Sequence, residues 1–303
     1  MIKNFFMAAI MLIAATGCTK DNELTVVENN AEQTTVPVTV RVKDFSIAQE
    51  EMPSGGGTTR AAENPATYFA TGSITLAFYN AEGTEVYKTT QIEGDGSYTT
   101  FGQFAANLQV GTYTMVAVAY GYYDGDVFTL TSPTEAAFTS ERPRETFSKV
   151  QSVTVTSASP LDLSITLNRV ISKLQIASTD NRPAGVAKIR TTYAAGGKSF
   201  NPTTGLATDD SGFSITNTPS AAVGSTIGVE SNLFLAIDEQ AMDITIEVLD
   251  AGNNVLFSHT VSNVPFKRNR KTTLRGAIFT AATSSAGFQL ETSWLTETDP
   301  IDF

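Results

Sequence analysis

The chain has 303 residues with 20 Lys or Arg against 31 Asp or Glu, a formal charge of −11 and 41% hydrophobic residues. That length accommodates two domains with real cores, and the acid excess excludes binding along a phosphate backbone. A single Cys and a single His exclude an internal disulfide and any multi-His or multi-Cys metal site. A Ser-His-Asp arrangement would have to use His259, which sits in the strand pattern Leu256–Thr260 and reads as structural or solvent-facing. No phosphate loop is present, because Gly55-Gly56-Gly57 is not followed by Lys-Ser/Thr and a helix. The chain reads as a non-enzyme that needs no cofactor.

At the amino terminus, Lys3 precedes an apolar run of 11 residues, Phe5–Ala15. A bilayer-spanning helix needs about 20 residues, so this run fits a signal-peptide core instead. It ends in Ala15-Thr16-Gly17-Cys18, which resembles a bacterial lipobox, with Ala15 where Leu is more usual. Residues 1–17 are then a signal peptide and Cys18 a lipid-modified first residue. Acyl chains contribute ~0.8 kcal/mol per buried CH₂, so several of them anchor a protein almost permanently. Thr19-Lys20-Asp21-Asn22-Glu23 resembles the signature that sends Bacteroidetes lipoproteins to the outer face of the outer membrane.

The body reads as strands. Val36, Val38, Val40 and Val42 alternate with Pro37, Thr39 and Arg41, and Pro37 marks an edge strand or a strand start. The stretch 49–64 holds three consecutive glycines and Arg60, an exposed loop pattern. Strand patterns follow at Ile74–Tyr79, with a turn at Asn80–Gly83 and a return through Val86-Tyr87, and again at Tyr113–Tyr120, Val150–Val155 and Leu161–Leu167. Ser132-Pro133-Thr134-Glu135 has the form of a capping box and predicts a short helix to about Phe138. The second half opens at Asn168–Ile176 and carries a hairpin around Asp250–Asn253. Ile74–Tyr87 parallels Ile244–Phe257 in apolar positions, turn position and turn chemistry, which favours two similar β-sandwiches divided near residue 168. The expected parts are therefore 18–60, 61–168 and 169–303.

Three polar groups read as weak. Tyr120–Asp126 clusters aromatics and acids as sugar or calcium sites do, though a loop explains it equally. Asp209-Asp210-Ser211-Gly212 reads as a turn, and the basic run Lys267–Lys271 as a solvated strand entry.

Several segments together resemble the fimbrillins of Bacteroidales. They are the lipobox start, the valine strand, the Gly-rich loop ending in Arg60, Gly111–Ala117, the Leu167–Leu174 strand and the Val264–Gly276 segment. The resemblance implies an all-β chain of two tandem transthyretin-like Greek-key sandwiches, serving as a fimbrial subunit or lipid-held anchor at the outer membrane. In polymerising fimbrillins an Arg-specific protease cuts after the first strand, which leaves, and a neighbour's terminal strand fills the groove. Carried over, the cut falls between Arg60 and Ala61. The leaving strand carries Val36, Val38, Val40 and Val42, and the donor is Phe288–Trp294, with Phe288, Leu290 and Trp294 on one face. Partners are then other fimbrial subunits, the protease, the outer membrane and a host or bacterial surface ligand. A surface glycan-binding lipoprotein is the competing reading, weakened by the single Trp294.

Overall fold

The computed structural model describes residues 35–47, 61–63, 68, 72–157, 159–280 and 288–294. Their strands, in chain order through residue 169, are β1 (Thr35–Ile47), β2 (Ala61–Glu63), β3 (Gly72–Tyr79), β4 (Glu85–Ile92), β5 (Gln103–Gln109), β6 (Gly111–Gly121), β7 (Phe128–Ser132), β8 (Glu135–Phe138), β9 (Thr146–Val155) and β10 (Leu161–Arg169). The rest are β11 (Ser172–Ser178), β12 (Lys188–Tyr193), β13 (Phe200–Asn201), β14 (Leu206–Ala207), β15 (Phe213–Asn217), β16 (Gly228–Leu233), β17 (Glu239–Leu249), β18 (Val255–Lys267), β19 (Arg270–Gly276) and β20 (Gln289–Trp294). The described chain is all-β, as expected.

The valine alternation does form β1, and all four valines are buried. A bulge between Val42 and Asp44 adds one residue and resets the alternation, so Phe45 rather than Asp44 turns inward. Yet β1 is no edge strand. It pairs parallel with β10 from Val38 to Ser46 and antiparallel with β5 from Thr35 to Arg41. Pro37 is tolerated at the strand start because the β10 ladder begins only at Val38.

The two halves repeat one topology. In the first, β5-β1-β10 faces β4-β3-β6-β9; in the second, β16-β11-β19 faces β15-β12-β17-β18. In each, the first strand runs parallel to the last, β1 with β10 and β11 with β19. The hairpin likeness read from sequence is real in geometry. Asn80 and Asp250 each accept the N–H four residues on at 2.8 Å, and Gly83 and Asn253 both take positive φ. However, it joins β3–β4 to β17–β18, which are not equivalent strands in the repeat. The likeness is one of turn chemistry, and the repeat rests on the sheet order instead.

Each half has its own core, one built around Val36–Leu167 and the other around Leu174–Phe279. A third apolar cluster joins them. Tyr79, Val116, Val118 and Tyr120, on the outer face of β3 and β6, pack with Phe138, Ile171, Phe200 and Phe234. For this reason every residue of β3 is buried: Ile74, Leu76 and Phe78 face the first core while Ala77 and Tyr79 face the junction. The capping-box segment belongs to this junction and is not helical. Residues 128–138 form the β7–β8 hairpin, in which Ala136 and Phe138 are buried and Phe128 opposes Phe138. Burial with a period of two overrides the local helix signal.

Candidate functional site

The seat of β1 is built by the residues its own pattern demands. Val36, Val38, Val40 and Val42 enter a core with Phe104, Ala106 and Leu108 from β5 and Ile165 and Leu167 from β10. On the opposite face, Arg41 meets Asp162 at 3.0 Å in the open. The far end of the strand is pinned by rings: Phe45 stacks on Phe147 at 4.5 Å, and Tyr68 stands edge-on to both. Beside them Arg169, 5% exposed, pairs with buried Glu145 at 2.6 Å and donates to Asn269 Oδ1 at 2.9 Å and to the Tyr68 hydroxyl. Burial pushes the Tyr68 hydroxyl pKa up, with the Glu145 carboxylate adding to it, so the ring stays neutral. Burial works against the Arg169 charge, but the Glu145 carboxylate outweighs it and the guanidinium pKa is raised. This cluster was not foreseen from the sequence. The only signal was an Arg inside an otherwise apolar strand, a residue type rarely buried unless paired.

Among the residues expected to act, Cys18 and Arg60 lie outside the described residues. Ala61 opens β2, whose backbone pairs antiparallel with β1, Ala61 opposite Ile47. Phe288, Leu290 and Trp294 belong to the β20 region, and β20 pairs with β19 at the edge of the second half's sheet. Phe288 packs on the second core, and a Cβ on Gly276 would come within 2.6 Å of its ring, so glycine is required there. Leu290 is 48% exposed. The first strand and the last therefore sit in different halves.

His259 is buried and structural: Nε2 lies 3.1 Å from the Ile278 carbonyl and the ring stands edge-on to Phe288. The Tyr120–Asp126 group is a braced loop. Tyr120 joins the junction core, and Asp126 accepts from the Ser140 N–H and hydroxyl and pairs with Arg144 at 2.8 Å. Arg144 in turn lies over the Tyr123 ring at 4.0 Å. Burial would raise the Asp126 pKa, but these donors outweigh it and hold the carboxyl below its usual range. No group of three metal-ligating side chains occurs among the described residues. Asp209–Gly212 is a loop, with Asp209 accepting from Ser211 and Gly212 at positive φ.

The basic run is not a solvated entry. It makes the tight β18–β19 turn, with Asn269 at positive φ, Lys267 paired to Glu239 at 2.6 Å and Arg268 to Asp238 at 2.8 Å. This turn borders a cleft of about 420 Å³ between the two halves. A second cavity of about 490 Å³ lies between β4 and β5, where Tyr87 and Gln91 donate to the Ala105 and Gln103 carbonyls. No helix among the described residues is long and apolar enough to cross a membrane.

The fold is shared with crystal structures of Bacteroides proteins. A candidate polysaccharide-binding protein of Bacteroides thetaiotaomicron (DUF1812) aligns over 86% of this chain and 99% of its own, with 13% identity and a TM-score of 0.51. A candidate adhesin of Bacteroides ovatus aligns over 82% and 88%, with 13% identity and a TM-score of 0.50. The fimbrial anchor protein Mfa2 of Porphyromonas gingivalis aligns over 86% and 98%, with 10% identity and a TM-score of 0.49. No curated protein matches the sequence. The model of one family, described as a family of unknown function (DUF6562), matches residues 33–298, which is nearly everything after the amino-terminal leader, and the chain belongs to that family.

Proposed function

We propose that the chain is a non-enzymatic subunit of an adhesive surface fimbria, working by strand exchange. It reaches the outer face of the outer membrane as a lipoprotein held on Cys18. An Arg-specific protease cuts between Arg60 and Ala61, and the seat of β1 then takes a terminal strand from a neighbouring subunit. Residues 288–294 are the donor strand. The parts of the chain are 18–60, which leaves, and the two sandwiches 61–168 and 169–303.

The observation that supports this reading is the position of β1. It lies inside its sheet, laddered on both sides, yet it joins the rest of the described chain only through residues 48–60. Loss of β1 would open two strand edges, β5 and β10, along one apolar groove, a site suited to β-augmentation. The seat enforces register, because a one-residue slip would turn the inward side chains out. Energetics require that departure be coupled to replacement. Burying Val36, Val38, Val40, Val42 and Phe45 at about 2 kcal/mol each amounts to on the order of 10 kcal/mol, as large as the stability of a whole domain. A cut chain therefore keeps its first strand until another is at hand. The edge strand β20, with one ladder and Leu290 exposed, is held far less firmly. The likeness of fold to the Bacteroides ovatus candidate adhesin agrees with a surface role.

Mass spectrometry of the amino terminus, on outer-membrane preparations and on sheared surface material, tests the reading. Chains beginning at Ala61 in sheared high-mass assemblies are the expected result. Chains beginning at lipidated Cys18 and confined to the membrane would overturn processing at Arg60 and leave an uncut anchor or a glycan-binding lipoprotein.

A further inference from the structure

The two central strands of the first half part company early. β9 and β10 pair at only two positions, Phe147 with Arg169 and Ser148 with Asn168. Beyond that fork β9 follows β6 and β10 follows β1. The β13–β14 turn and the β18–β19 turn border the opening, and the result is the 420 Å³ cleft. Its form depends on Gly205, at positive φ, where a Cβ would lie 2.7 Å from Val170 and 2.8 Å from Arg268.

The lining contains four cations and no carboxylate, in a chain of net charge −11. Three of the cations are engaged: Arg169 with Glu145, Lys267 with Glu239, and Arg268 with Asp238 and, at 2.6 Å, the Thr204 carbonyl. Lys149 is different. It is half-buried and has neither an ion pair nor a hydrogen bond among the described residues. The neutral groups around it are set as acceptors. Ser148 Oγ gives its proton to the Pro202 carbonyl at 2.7 Å, and Thr203 Oγ1 gives its own to the Pro133 carbonyl at 2.8 Å. Each keeps lone pairs for a hydroxyl donor. The Asn168 amide, also unengaged among the described residues, can serve either way.

One free ammonium beside committed hydroxyl oxygens matches a ligand that carries one anionic group and several hydroxyls. We propose that this cleft binds a carboxylate-bearing sugar unit, a hexuronic acid, with Lys149 pairing the carboxylate and Ser148, Thr203 and Asn168 meeting the ring hydroxyls. The site stands apart from strand exchange and does not rest on the fimbrial reading. One link exists between them: Ser46 of β1 lines the cleft, so the site is whole only while β1 is seated.

The test is a ligand-observed NMR titration of the monomeric mature chain with glucuronate, galacturonate, glucose and acetate. It compares the wild type with Lys149→Gln, Lys149→Arg and the distant control Lys188→Gln, whose ammonium meets Asn253. At least one uronate should bind saturably to the wild type and the control. Binding should be about ten-fold weaker in Lys149→Gln, recovered in Lys149→Arg and weakened by added salt. Glucose and acetate should each bind about ten-fold more weakly than the uronate. No uronate binding, or binding unchanged in Lys149→Gln at equal melting temperature, would overturn the site. Acetate bound as tightly as the uronate would mean an adventitious anion only and overturn the saccharide assignment. Assembly plays no part in this assay, so its failure leaves the fimbrial proposal untouched.

Discussion

Arg169 shows how one buried charge can organise a junction. Its guanidinium reaches Glu145 on the segment entering β9, the Tyr68 hydroxyl beside Phe45, and Asn269 in the β18–β19 turn, so both halves and the end of β1 meet at one residue. Removing one member of such a pair leaves a desolvated charge and costs about 3–5 kcal/mol, whereas replacing both with apolar groups is often neutral. Arg169→Met should lower the unfolding free energy by about that amount, measured in chemical denaturation. Adding Glu145→Leu should restore most of it; a double variant as unstable as the single would mean that the hydrogen bonds to Tyr68 and Asn269, rather than the orphaned carboxylate, set the cost.

At the scale of the element, β1 is the testable piece. Separate expression of residues 18–60 and 61–303 in one cell should give a complex that copurifies, because the apolar seat, rather than the loop, holds the strand. Placing Asp at Val40, which is fully buried, should prevent copurification, since an unpaired carboxylate there costs several kcal/mol. Copurification unaffected by that change would mean that the seat does not recognise the valine face.

The valine face of β1 was legible because alternation is a direct print of one-sided burial. Its interior position was not, since Pro37 reports only its own missing donor and says nothing of partners that begin one residue later. The β7–β8 hairpin was misread for a similar reason: a capping box is a local signal, and the aromatic contacts of Phe128 and Phe138 that decide the matter come from Tyr120 and Phe200. The two-fold repeat was inferred from a hairpin likeness between inequivalent strands, because turn chemistry is visible in sequence and sheet order is not. The cleft was the least visible of all. Lys149, Thr203 and Lys267 are far apart in the chain and share nothing but the fork that brings them together.

For the whole molecule, the cluster around Phe200 and Phe234 determines whether the halves behave as one body. Phe200 stacks on Phe234 at 4.5 Å and sits in the cross-half sheet opposite Ala136. Phe200→Ala should cost about 3–5 kcal/mol and divide a single calorimetric transition into two, one for each core. A single transition that merely shifts downward would mean that the two cores remain coupled through Arg169 and the remaining junction contacts.

The parallel course of β1 and β10 also has a mechanical side. A pull on the chain ahead of Thr35, opposed by the second half beyond Arg169, acts on two strands that start side by side and are drawn in opposite directions along their length. The load falls in shear on all eight paired positions at once, from Val38–Leu161 to Ser46–Asn168, instead of unzipping them singly from one end. Any strand that takes the same place in the same direction inherits that geometry, and a series of such joints would resist tension along its axis while remaining open to exchange when slack.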